Sequence, residues 1–187
     1  MSTLFYSDPH FGHANIIKYC NRPFESVSEM NETLIKNYNS KVQPNDTVYI
    51  LGDFAFYREP EDVTKILKRL NGIKHFVFGN HDKIMRHEKV RPFFKAMSNF
   101  EEIYVQQKAG GSQHITLCHF SMKVWNQSHR GSWQLYGHSH GTLPDDPNSL
   151  SIDVGVDSHN YFPVSFEEVK EIMSKKTWKP PVYDTAD

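Results

Sequence analysis

The chain has 187 residues, enough for one domain with a substantial core and too few for a second. Its formal net charge is −1, with 23% charged residues, so the basic excess that an extended nucleic-acid footprint needs is missing. Two cysteines make no disulfide framework, and no stretch reads as a signal peptide or membrane span; a soluble protein of the reducing cytoplasm is expected.

Thr3 to Ser7 is a short strand-like run ending at Asp8-Pro9-His10. A helix is predicted from near His13 to before Arg22-Pro23, because the residue preceding a proline disfavours the α region. Ser28 to Val42 reads as an amphipathic helix, with Met30, Leu34, Tyr38 and Val42 on one face, broken by Gln43-Pro44-Asn45-Asp46. Thr47 to Leu51 is an apolar, β-branched run that suits a strand covered on both faces. A helix from Glu59 to Leu70, with Pro60 in its first turn and Asn71-Gly72 as its stop, leads to a second buried strand, Ile73 to Phe78. This strand, helix, strand order predicts a parallel βαβ unit.

The second half changes character. Glu101 to Lys108 and Gln113 to Cys118 flank Ala109-Gly110-Gly111-Ser112, a hairpin signal. Trp133 to Tyr136 and Leu150 to Val154 are further short strands, and Ser165 with Glu168 forms a capping box that opens a last helix to about Lys175. One domain over residues 1–176 is expected, followed by a loosely attached tail, 177–187.

Histidine is the unusual component, with 11 in the chain. Five segments gather histidine with Asp and Asn: Asp8-Pro9-His10, Gly52-Asp53, Gly79-Asn80-His81-Asp82, His119, and Gly137-His138-Ser139-His140. Each alone is ordinary turn or core material. Each also follows a predicted strand, and ligands of α/β sheets gather at the carboxyl ends of strands. Two Asp, one Asn and four His form an O/N donor set without thiolate, too many for one tetrahedral zinc and suited to two ions sharing a carboxylate.

This ordered set, D-x-H, GD, GNHD, H and GHxH, resembles the calcineurin-like metallophosphoesterase superfamily over Asp8 to His140. The region from Asp8 to His13, with Asn21-Arg22-Pro23-Phe24 after it, is similar to small, cap-less members from bacteria and bacteriophages. The resemblance implies an α/β fold, a four-layer αββα sandwich of two mixed β-sheets flanked by helices. It implies that Asp8, His10 and His140 hold one metal, that Asn80, His119 and His138 hold a second, and that Asp53 bridges them. His81 would face the scissile phosphate, and Asp82 would fix its tautomer. The two divalent ions would be manganese first, with iron, zinc, nickel or cobalt as alternatives for an O/N site.

Among secondary candidates, Arg130, His13 and Arg58 are assigned to substrate binding, with Arg22 and His129 also near the motif loops. Asp153 and Asp157 resemble a supporting loop, with Asp153 the one expected on a ligand histidine. Trp125, Trp133 and Tyr136 are core or base-stacking residues. The expected function is hydrolysis of a small phosphodiester by a metal-bridging hydroxide. The alternatives are a nucleotide or protein phosphomonoesterase and a non-catalytic interaction scaffold, the last disfavoured because His81 and every ligand position are present. The expected partner is a small phosphate ester, with no membrane and no extended nucleic acid, and a homodimer is left open.

Overall fold

The computed structural model describes residues 1–108 and 110–180. Its first half is a parallel α/β unit. Strands β1 (Thr3–Tyr6), β2 (Thr47–Ile50), β3 (Ile73–Val77) and β4 (Phe94–Ser98) run parallel in the order β4-β3-β2-β1. A two-residue strand, β9 (Val164–Ser165), pairs antiparallel on the far side of β1. Helices α1 (Ala14–Tyr19), α2 (Val27–Lys41) and α3 (Pro60–Leu67) cover one face. Met30, Leu34 and Tyr38 of α2 and Val63 and Leu67 of α3 pack there with Leu4, Tyr6, Val48, Ile50 and Phe76.

The alternate residues Phe5, Leu51 and Val77 point to the opposite face and enter a second core. It is shared with β5 (Glu101–Gln106), β6 (Ser112–Leu117), β7 (Trp133–Tyr136) and β8 (Ser151–Asp153) through Ile103, Ile115, Leu117, Leu135 and Ile152. This sheet has the order β5-β6-β7-β8; β5 is antiparallel to β6, and the others are parallel. Helix α4 (Phe166–Ser174) adds Phe166, Val169 and Met173 to the same core, with Phe166 stacked on Trp133. The result is the expected α/β arrangement of two mixed sheets packed face to face with helices outside. The outer layers are uneven: three helices serve the first sheet, and α4 alone joins the second core.

Predicted and observed elements agree in type, with ends that coincide or differ by one to three residues: α3 stops at Leu67 instead of Leu70, whereas α2 and β6 each begin one residue earlier than expected. β4 and β9 were not predicted. Trp125, Trp133 and Tyr136 are all buried, so none is available to stack a base. Thr177, assigned to the loose tail, donates its N–H to the Pro147 carbonyl at 2.7 Å, and Trp178 packs against the second core. Residues 181–187 of that tail, and Ala109 of the predicted hairpin turn, lie outside the described residues.

Strand register positions the site. Tyr6, Ile50 and Phe76 are aligned neighbours, so the chain leaves β1, β2 and β3 at one level. Leu117 aligns with Leu135, and Tyr136 with Asp153, at the matching end of the second sheet. A parallel bridge between Ser7 and Gly155 joins the two sheets there.

Candidate metal centre

The loops after β1 and β2 are joined to each other. Asp8 N–H donates to the Gly52 carbonyl, and His10 N–H to the Asp53 carbonyl, both at 3.1 Å. The chain turns sharply at these points. Asp8, His10, Asp53, His138 and His140 all have left-handed backbones, with φ between 48° and 67°. Such conformations cost about 1 kcal/mol or more each for non-glycine residues and persist where surrounding contacts impose them. Gly137 shows how closely the loops approach: a Cβ there would collide with Ser7 Oγ and Asp8 Oδ2.

The seven expected ligands are brought together. Donor atoms of Asp8, His10 and His140 lie within 4.8 Å of one another, as do those of Asp53, His119 and His138. Asp53 stands between the groups, with Oδ2 3.6 Å from His10 Nε2 and Oδ1 3.6 Å from His119 Nε2. Asn80 Oδ1 lies 3.1 Å from His119 Nε2.

The imidazole orientations follow from their other contacts. His119 Nδ1 is 2.7 Å from the Leu51 carbonyl, which can only accept, so Nδ1 carries a hydrogen and Nε2 is directed inward, where a cation displacing its proton would take the lone pair. His140 Nδ1 meets the Asp157 carboxylate at 2.7 Å, which leaves its Nε2 free in the same way.

The electrostatics are those of a buried donor cluster. Burial pushes Asp8 up to about 7, against the pull of His119 and His140. Burial also pushes His10 down to about 2. Asp53 is held at about 2 despite burial, by its interaction with His119 and the His81 N–H. Burial likewise opposes the protonation of His119, but Asp53 and Asp8 raise it to about 9. Asp8 Oδ1 and His10 Nε2 are buried without a hydrogen-bond partner. A carboxylate oxygen and a neutral imidazole nitrogen left bare side by side, at the edge of an O/N donor set, fit a divalent cation.

A buried brace supports the first group. Arg22 binds Asp157 through Nε and Nη2 at 2.8 and 2.7 Å, and also reaches the carbonyls of Asp8 and Pro9. Arg22 is therefore occupied inside the protein and does not face substrate. Asp157, rather than Asp153, carries the ligand histidine; Asp153 instead accepts from Ser139 Oγ, Gly141 N–H and Gly155 N–H and so shapes the GHSH loop.

Asp82 also differs from expectation. Its carboxylate accepts the backbone N–H groups of Asp53, Phe54 and Gly79 at 2.6 to 3.0 Å, and among the described residues it makes no bond to the His81 ring. The acid ties the β2 and β3 loops together, because three convergent amides outcompete one exposed imidazole. The exposed His81 ring lies beside Phe56, centroids 4.8 Å apart, while the His81 backbone N–H donates to Asp53 Oδ1.

The three expected substrate contacts separate. His13 is at the rim, stacked on Phe56 at 3.9 Å with its Nδ1 3.4 Å from that of His10. Arg58 is exposed two residues beyond Phe56 and makes no hydrogen bond or ion pair among the described residues. Arg130 is a correction. It precedes β7, whose other end leads to His138, and the adjacent Gly131 carbonyl is bonded by Gln113 at the start of β6. Arg130 therefore sits at the opposite end of the second sheet from the donor cluster. Phe56 and Phe120, which flank the centre, had no periodic or motif signal to mark them.

Residues 1–156 match the model of the calcineurin-like phosphoesterase family. The chain belongs to this family. The calcineurin-like chain is 36% identical over 179 residues to an uncharacterised protein of Methanocaldococcus jannaschii, covering 90% of this chain and 89% of that one. It is 27% identical to the gene 66 protein of Mycobacterium phage L5, covering 92% and 94%. Its fold is shared with a protein of unknown function from Aquifex aeolicus, known from its crystal structure, with a TM-score of 0.68 and 23% identity over 91% of this chain and 98% of that one. These matches extend along nearly the whole length of small proteins, in keeping with the expected cap-less type.

Proposed function

We propose that this chain is a phosphodiesterase with two divalent ions, in which Asp8, His10 and His140 hold one ion, Asn80, His119 and His138 hold the other, and Asp53 serves both. The observation that carries the reading is the position of Asp53, with one carboxylate oxygen turned to each donor group. Ions at these places would supply Lewis acidity toward phosphoryl oxygens and an acidified water as nucleophile. Manganese is the first metal to test, with iron, zinc, nickel and cobalt open to an O/N donor set.

The chain's own groups do the rest. His119 and His140 have their Nδ1 hydrogens fixed by Leu51 and Asp157, so both rings keep Nε2 directed at the centre. His81 has an exposed ring at the rim and an N–H anchored on Asp53. From there it can hydrogen-bond a phosphoryl oxygen or pass a proton to the departing alkoxide.

Charge favours a diester. Arg22 is consumed by Asp157 and two carbonyls, and Arg130 is remote, so fixed side-chain cations near the centre are few. A diester brings one negative charge, whereas a monoester brings about 1.5 to 2 at neutral pH. Exposed, unpaired Arg58 is the feature that favours the second reading, a phosphomonoesterase. Side-by-side assay of Mn²⁺-loaded protein on bis-p-nitrophenyl phosphate and p-nitrophenyl phosphate decides between them. Faster diester turnover is expected; faster monoester turnover would replace this reading with the second.

A further inference from the structure

The two aromatic residues beside the centre are in unlike states. The Phe56 ring is covered: His13 stacks on it at 3.9 Å and 9°, and His10 and His81 lie 5.1 and 4.8 Å away. The Phe120 ring meets His119 and His138 only edge to face, at 4.9 and 4.8 Å, and remains 45% exposed. Leu143, in the loop after the GHSH motif, is 44% exposed, and it lines one cavity of about 450 Å³ together with Phe120 and His138. The rest of that wall is Ser121, Ser139, Thr142 and Gly137, with no lysine, arginine or carboxylate. The Ser139 and Thr142 hydroxyls are already bonded, to Asp153 and to the Ser139 carbonyl, while Ser121 Oγ has no partner among the described residues.

We infer that this cavity is a subsite for an aromatic or other flat apolar group esterified to the phosphate, with Phe120 and Leu143 as its specificity-determining residues. The inference rests on the phosphoesterase reading, since His138 belongs both to the cavity wall and to the donor cluster. The occupant follows from the lining. Apart from the ion that His138 would help hold, the wall carries no lysine, arginine or carboxylate to draw a second phosphate or a charged headgroup, whereas an exposed phenyl face and an isobutyl group stabilise a ring by burial and offset stacking. The free Ser121 hydroxyl can serve one polar edge of such a ring. Phe56 cannot play this part because histidines already occupy its surface.

The test uses Mn²⁺-loaded protein and two phosphonates that cannot be hydrolysed at their C–P bond, phenylphosphonate and methylphosphonate, titrated by calorimetry. Phenylphosphonate is expected to bind at least tenfold more tightly. Leu143→Ala, outside the expected ligand set, should narrow that gap at least threefold with methylphosphonate affinity and bound metal unchanged, and Phe120→Ala should nearly close it. Equal affinities in the unaltered protein, or a gap that survives both substitutions, would overturn the subsite while leaving the phosphoesterase reading intact. Failure of both phosphonates to bind, together with no hydrolysis of either nitrophenyl ester, would overturn both.

Discussion

At the scale of single residues, His81 and Asp82 are neighbours with separate duties. His81 is exposed and, among the described residues, hydrogen-bonds only through its backbone N–H, so His81→Ala should leave stability within about 0.5 kcal/mol, a surface-substitution effect. Its loss should lower turnover about 10²-fold or more, the range of a positioned acid, with metal content retained. Equal falls in turnover and bound metal would remove the role assigned to it. Asp82→Ala should act the other way. It strips three backbone amides of their acceptor, at about 1–3 kcal/mol for each group left buried and unpaired, and should lower the melting temperature first. The D-x-H, GD, GNHD and GHxH residues were legible because each directly follows a strand, and strand ends in register must converge. The direction of an Asp82 or Asp153 carboxylate was not legible, because spacing does not fix which of several nearby donors a short acid reaches.

The Arg22–Asp157–His140 brace extends the same point. Residues 22 and 157 are far apart in sequence, and only the folded chain shows that a buried guanidinium holds the acid that orients a ligand histidine. Asp157→Asn keeps the size but weakens the acceptor facing His140 Nδ1. Metal affinity should fall about 10- to 100-fold, as read by competition with a chelating dye. An unchanged affinity would show that His140 needs no such partner.

At the scale of elements, the long periodic helices and apolar strands were readable, whereas β4 was not. Its sequence, Phe94-Lys95-Ala96-Met97-Ser98, buries only Phe94 fully and lies at the sheet edge, so it has no sustained alternation to detect. The capping box of α4 was readable from Ser165 and Glu168 and is formed, with Glu168 Oε2 accepting from Ser165 N–H and Oγ. Lys41 also reaches Glu168 at 2.6 Å. Partial burial would raise the Glu168 pKa, but Lys41 and Ser165 outweigh it and hold the acid at about 2. A carboxyl depressed in the folded state stabilises above its unfolded pKa and loses that contribution as pH falls, here from about 4.5 to about 2. The side chain is 47% exposed, so solvent screening limits the effect to about 1 kcal/mol. Glu168→Gln should flatten the acid limb of the stability curve in that window by this amount. A curve identical to that of the unaltered protein would place the acid sensitivity elsewhere.

At the scale of the whole molecule, the centre and the fold share their hardest-worked region. The Ser7–Gly155 bridge joins the sheets where five expected ligands hold left-handed backbones, and where buried Asp8 Oδ1 and His10 Nε2 have no hydrogen-bond partner. A cation satisfying those atoms would therefore stabilise both sheets together, and metal binding should appear as global stability. At free metal about a hundredfold above Kd, linkage gives about 2.7 kcal/mol. For a domain of this size that is a rise of about 5–10 °C in melting temperature, reversed by a chelator. Asp53→Asn tests whether the two donor groups act through the shared carboxylate. It should remove most of the metal-induced rise, because both groups lose the same anionic ligand at once, while Asn80→Ala, confined to one group, should remove only part of it. If Asp53→Asn instead leaves the full shift, the two groups bind metal independently and Asp53 does not bridge them.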